Sequence, residues 1–128
     1  MYYAVKFDED TRQKILEYTQ FLCSIPDGWK IYCDHITMCH SSHKDWLKWD
    51  KVLHGHLGTE MVFRITGYGK SDYVRALSVD LYTANLVSHI TIACAPGAKP
   101  VQSNDIKNWV VPNVDLIHQF TGTLELCR

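Results

Sequence analysis

Long apolar runs, surplus positive charge and paired cysteine motifs are all scarce in this chain of 128 residues. The longest apolar stretches, ITIACAP at 90–96 and WVVP at 109–112, fall far short of the roughly 20 residues a membrane helix needs. Basic residues number 13 against 14 acidic ones, which argues against a protein that tracks long nucleic acid; a short anionic ligand suits that balance. Five cysteines (Cys23, Cys33, Cys39, Cys94 and Cys127) include no C-x-x-C pair. They read as reduced, mostly buried thiols rather than a disulfide framework. Met1 runs straight into YYAVKF, with no basic segment and cleavage site. The expectation is a cytoplasmic protein without membrane contact and with no obligate protein partner evident. No linker or low-complexity tract interrupts the chain, and 46% hydrophobic content suits one domain over 1–128 that buries its core without a structural metal.

The pattern of elements follows from periodicity and breakers. Residues 2–7 alternate as a strand, and Asp8, Glu9 and Asp10 then cap and charge the start of a helix carrying Ile15, Tyr18 and Leu22 on one face. IPDGW at 25–29 is a turn, and 30–38, KIYCDHITM, reads as a second strand. Ser42 and Asp45 resemble a capping box before a short helix with Trp46, Trp49 and Leu53 inward, ending near Gly55. The stretch 59–82 reads as a hairpin turning at GKSD, and Asn85 precedes a strand through LVSHITIACA. After PGAKP, Ser103 caps an expected helix bearing Ile106, Trp109 and Val110 and closed by Pro112. One more strand is expected in the tail from Val114 to Arg128. The order β-α-β, α, β-β-β, α, β is an α+β pattern with mostly antiparallel strands.

What the sequence does have is the tripeptide HIT twice, at 35–37 and 89–91. With seven histidines, nine isoleucines and nine threonines in the chain, shuffling gives roughly 0.03 copies, so two are improbable as accident. In a strand each His and its Thr project to one side while Ile36 or Ile90 turns into the opposite, apolar layer. Displacement at phosphorus wants one group to take a proton from the attacking oxygen and one to give a proton to the leaving oxygen. Two imidazoles do both near neutrality. Threonine hydroxyls beside them bond the non-bridging oxygens where charge accumulates, so neither a metal nor another cofactor is required. His35, Thr37, His89 and Thr91 are therefore the candidate catalytic set.

Two H-x-T motifs on strands of a small α+β chain resemble the two-histidine (2H) phosphoesterase superfamily. That resemblance implies a two-lobed fold, with antiparallel sheets flanking a central cleft and helices outside, and a metal-independent attack on 2′,3′-cyclic phosphates at RNA 3′ ends or on nucleotides. Within the superfamily, KPVQSN at 99–104 looks like the segment following the second motif in the cyclic phosphodiesterase domain of fungal-type tRNA ligases and related RNA-repair proteins. On that likeness Lys99, Ser103 and Asn104 join the substrate-binding set. Compact stand-alone members include viral proteins that destroy cyclic nucleotide signals of host defence, so cleavage of 3′,5′-linked cyclic nucleotides is an alternative. A non-catalytic RNA-end or nucleotide-binding module is another. The histidine-triad signature H-x-H-x-H is absent from the sequence.

The remaining candidates are weaker. Tyr2 and Tyr3 lie on opposite faces of the first strand, so one looks into the cleft and can stack on a nucleobase; Tyr3 is assigned to it. His40 and His43 with Cys39, or His54 with His56, suggest zinc corners, but neither has the second half such a site demands. They read as surface histidines. Arg64 and Arg75 are either a second phosphate contact or charges on the sheet face.

Overall fold

The computed structural model describes residues 1–112 and 118–128. Among them the elements run β1 (Tyr2–Lys6), α1 (Glu9–Thr19), β2 (Lys30–Ile31), β3 (His35–His40), α2 (Trp46–Leu53), β4 (Glu60–Lys70), β5 (Val74–Val79), β6 (His89–Cys94), β7 (Trp109–Val110) and β8 (Gln119–Cys127), with 3₁₀ turns at His54–His56 and Pro100–Asp105. Every described strand pairing is antiparallel. The fold is thus α+β, with few helices on a mostly antiparallel sheet. No helix of the described residues is long and apolar enough to cross a membrane.

The strands close on themselves. β3 pairs with β1, β1 with β8, β8 with β4, β4 with β5 and β5 with β6, and a lone pair, Ile36 with Ile90, joins β6 back to β3. Ile36, Ile90, Tyr3, Val5, Phe63, Ile65, Leu77 and Leu124 fill the interior of this ring and are almost wholly buried. Helix α1 starts as its sequence predicts: Asp8 caps it by accepting the Thr11 N–H at 2.7 Å, and Glu9 and Asp10 sit in its first turn. Ile15, Tyr18 and Leu22 pack onto the core. Trp46, Trp49 and Leu53 of α2 do the same. Ser42, however, leaves that helix uncapped, its hydroxyl lying 2.8 Å from His40 Nδ1, and Asp45 occupies the cap position without a side-chain bond.

Three expectations are corrected. The strand expected over 30–38 is broken, because Cys33 adopts φ +50°. Its N–H bonds Thr91 O at 2.9 Å, yet the next pair is Ile36 with Ile90, so Asp34 and His35 bulge out of the ladder against a single step of β6. The helix expected after Ser103 is a 3₁₀ turn, Pro100–Asp105, that begins upstream of it, and Trp109–Val110 is instead a strand on β4. Ser103 is no cap because its hydroxyl is 2.8 Å from that of Thr91. Gly67 and Gly69 let the strand lie close: a Cβ at Gly67 would stand 2.2 Å from Val110 O, and one at Gly69 2.7 Å from the Trp109 ring. The strand expected at TLELC in the tail is β8, which begins earlier, at Gln119; positions 114–117 of that tail lie outside the described residues.

The third correction concerns Tyr3. It is 0% exposed, on the core face with Val5, and its hydroxyl donates to Asp50 Oδ1 at 2.5 Å. Burial and that carboxylate push its ionisation up to about 12. It serves packing, and Tyr2 takes the outward face. Tyr3→Phe is expected to cost about 1 kcal/mol of stability by taking the donor from Asp50, measured as a lower urea midpoint with an unchanged slope.

Candidate active site

The pairing of Ile36 with Ile90 sets the two HIT motifs back to back with their polar residues on the opposite face. Antiparallel continuation from that pair places Thr37 next to His89, while the Cys33 bulge brings His35 toward the Thr91 end. Burial lowers the ionisation of His89, and the charge of His35 adds to that effect.

Each ring is held by Nδ1. His89 Nδ1 lies 2.8 Å from Val87 O, which can only accept, so Nδ1 carries the hydrogen and Nε2 the lone pair. His35 Nδ1 lies 2.6 Å from Asp34 Oδ1. Neither Nε2 has a hydrogen-bond partner among the described residues. In a regular strand Asp34 would point away from His35; the bulge turns its carboxylate onto the ring. The bond from His35 holds the Asp34 carboxyl below the usual carboxylate range, with help from the charges of His35 and Lys6 and against some desolvation. Lys6 stands directly across from His35 on β1.

The two histidines differ in setting. His89 is 9% exposed, and burial lowers its ionisation below the ordinary 6.5, an effect only partly opposed by the Val87 bond. Beside it stand Ser78, its neighbour on β5, and the Trp109 ring at 6.0 Å between centroids. His35 is more open, with the Tyr2 ring 5.5 Å away. A bulge between Tyr3 and Ala4 in the β1–β3 ladder turns His40 onto this same face, its ring 6.3 Å from Tyr2 and nearly parallel to it. Thus one imidazole is buried with its ionisation lowered, and the other is partly exposed and paired with a carboxylate.

No protein-family model matches the chain, and no curated protein matches its sequence. What can be read of the site therefore rests on its own geometry.

The structure brings His35, Thr37, His89 and Thr91 to one face, with Ser103 behind Thr91 and 1% exposed. Thr91 Oγ1 shares a 2.8 Å contact with Ser103 Oγ and donates over 3.5 Å to Pro100 O, a long bond that its hydrogen must leave to reach a ligand oxygen. Asn104 lines a small cavity with His89. Lys99 is exposed at the start of the 3₁₀ turn, where its N–H bonds Gln102 Oε1 at 2.7 Å and its side chain takes no part in the cluster. Arg75 is occupied, bonding Ser24 O and Ser71 O and lying 4.7 Å from the Trp29 ring centre. Arg64 is exposed. Asp34, Lys6 and Tyr2 escaped the sequence reading as site residues. For Tyr2 a signal existed: Tyr3 alternates with Val5 and Phe7, whereas Tyr2 shares its face with the charged Lys6. A larger hollow, about 860 Å³, lies between α1 and the start of β8 and contains none of the motif side chains.

Proposed function

We propose that the chain is a metal-independent phosphodiesterase of the 2H type that opens 2′,3′-cyclic phosphates at RNA 3′ ends or on nucleotides. The observation that carries this reading is the single pair Ile36–Ile90, which draws two H-x-T motifs from distant parts of the chain into one cluster of two imidazoles and two hydroxyls. On this reading the halves of the strand ring, β3–β1–β8 and β6–β5–β4, serve as the two lobes. Five free thiols accord with a reducing, cytoplasmic setting.

The different settings of the histidines support a division of roles. His89, kept neutral by burial, takes a proton from water through Nε2 as the water oxygen bonds to phosphorus. The bond from phosphorus to one ribose oxygen breaks, and His35 Nε2 delivers the proton to that oxygen. An imidazolium at His35 is accompanied by the Asp34 carboxylate. Thr37 and Thr91 bond the phosphoryl oxygens, and the Lys6 ammonium sits where an anion approaches. The product is a phosphate monoester, and the protons re-equilibrate with solvent.

The test is incubation, with EDTA present, with 2′,3′-cyclic mononucleotides, oligoribonucleotides ending in a cyclic phosphate, and cyclic di- and trinucleotides, followed by chromatography. Opening of the 2′,3′-cyclic phosphates supports the reading. Turnover confined to 3′,5′-linked rings transfers the same residues to attack by a ribose 2′-hydroxyl. Turnover abolished by EDTA, or none at all, removes it.

Two consequences can be measured in the kinetics. Because His89 must be neutral and its ionisation lies below 6.5, the ascending limb of kcat/KM is expected below pH 6.5. Asp34→Asn removes the carboxylate that holds the His35 ring; kcat is expected to fall about tenfold or more with KM little changed. An unchanged kcat would show that Asp34 only supports the local backbone.

A further inference from the structure

Beside His89 the chain encloses a cavity of about 220 Å³. Pockets for drug-sized ligands start at roughly 300 Å³, so this one fits a single ring system rather than a whole nucleotide. One wall is the 84–87 loop and the other is formed by Ser103, Asn104, Ile106 and Trp109. No Lys, Arg, Asp or Glu lines it, so a charged fragment finds no counter-charge there. The side-chain amides of Asn85 and Asn104 have no hydrogen-bond partner among the described residues. A carboxamide sets a donor beside an acceptor, which complements the edge that a nucleobase presents. Trp109 and Ile106 supply a flat apolar wall on which a heteroaromatic ring stacks.

We propose that this cavity is a nucleobase slot. The base attached to the ribose whose phosphorus lies between His35 and His89 enters between the 84–87 loop and Trp109, and Asn85 and Asn104 read its edge. The inference rests on the phosphodiesterase reading above and names the part of the substrate that is recognised. The slot is held in shape before any ligand arrives. Ala84 N–H bonds Met38 O at 2.8 Å, and Asn85 N–H bonds Thr83 Oγ1, itself 2.8 Å from Ser88 Oγ. The opposite wall is fixed by the Ser103–Thr91 contact and by Trp109 pressed on the backbone of Gly69. A preformed polar slot discriminates, because a mismatched base entering it leaves its own edge and the Asn85 and Asn104 amides without partners. The His35 side carries Asp34, Lys6 and the stacked rings of Tyr2 and His40 rather than a matching cavity, so selection is expected at one base alone.

The experiment compares the four 2′,3′-cyclic mononucleotides (A, G, C and U) as substrates and the matching 3′-nucleoside monophosphates as ligands, the latter by calorimetry. It uses the full chain and the variants Asn85→Ala, Asn104→Ala and Asn104→Asp. The unaltered protein is expected to spread kcat/KM at least about tenfold across the bases, mainly through KM. Either alanine variant narrows that spread to about twofold. Asn104→Asp, close in shape and therefore safe for folding, removes the amide donor and changes which base is preferred. Turnover that ignores both the base and the amides overturns the slot and leaves the phosphodiesterase standing. Base-selective binding that the variants weaken, without turnover of any cyclic phosphate, keeps the slot and overturns the enzyme. Neither binding nor turnover overturns both.

Discussion

His89→Ala is expected to lower turnover of a 2′,3′-cyclic phosphate by about 10²- to 10⁴-fold, the span one positioned acid or base supplies. His35→Ala is expected to fall in the same range. The double variant should be little worse than the more damaged single one, because an acid and a base that serve one displacement act as a unit. The loss should lie in kcat, since Thr37, Thr91 and Ser103 remain to hold the phosphoryl group. His89 is buried but lies outside the apolar core cluster, and His35 is partly exposed. His89 bonds its own chain two residues back, at Val87, and His35 bonds the adjacent Asp34, so both variants should melt close to the parent. Chromatographic rates alongside thermal unfolding check this. Variants that unfold, or that lose less than about threefold in rate, would show the imidazoles to be structural.

The second large effect is expected far from the imidazoles in sequence. Gly67→Ala places a Cβ 2.2 Å from Val110 O and 3.0 Å from Ser78 Oγ. The first contact is with backbone and has no rotamer to relieve it, so β7 must lift from β4. A stability loss of about 1–3 kcal/mol follows from such overpacking, read from urea unfolding. Trp109 moves with the strand, and its ring forms one wall beside His89, so activity and the Trp emission spectrum should change together. Gly55→Ala is the control: nothing lies within 4 Å of its added Cβ and its φ is not left-handed. Its stability should be unchanged or slightly higher.

Much of this was legible in the chain. The Asp8 cap, the hairpin turning around GKSD at 69–72 and the two HIT strands all follow from local pattern, since each signal and its consequence lie within a few residues of one another. The misreadings share another cause. Nothing near Cys33 announces a left-handed residue; the break arises because the chain pairs with β6 first in one register and then in another. With it comes the Asp34–His35 contact, which alternation forbids in an unbroken strand. Trp109 and Val110 carry a helical spacing, but two glycines about forty residues earlier provide the groove that makes them a strand. Tyr2 and Tyr3 were separable by their neighbours, because Lys6 marks the wet face.

The closed ring of strands has a consequence for how the molecule behaves in company. Among the described residues only β2 and β7 have a single neighbour, and each is two residues long. At the ends of the sheet stray chains therefore find little bare backbone to add to, whereas the seam closed by the lone pair Ile36–Ile90 leaves the rest of β3 without a ladder partner on that side among the described residues.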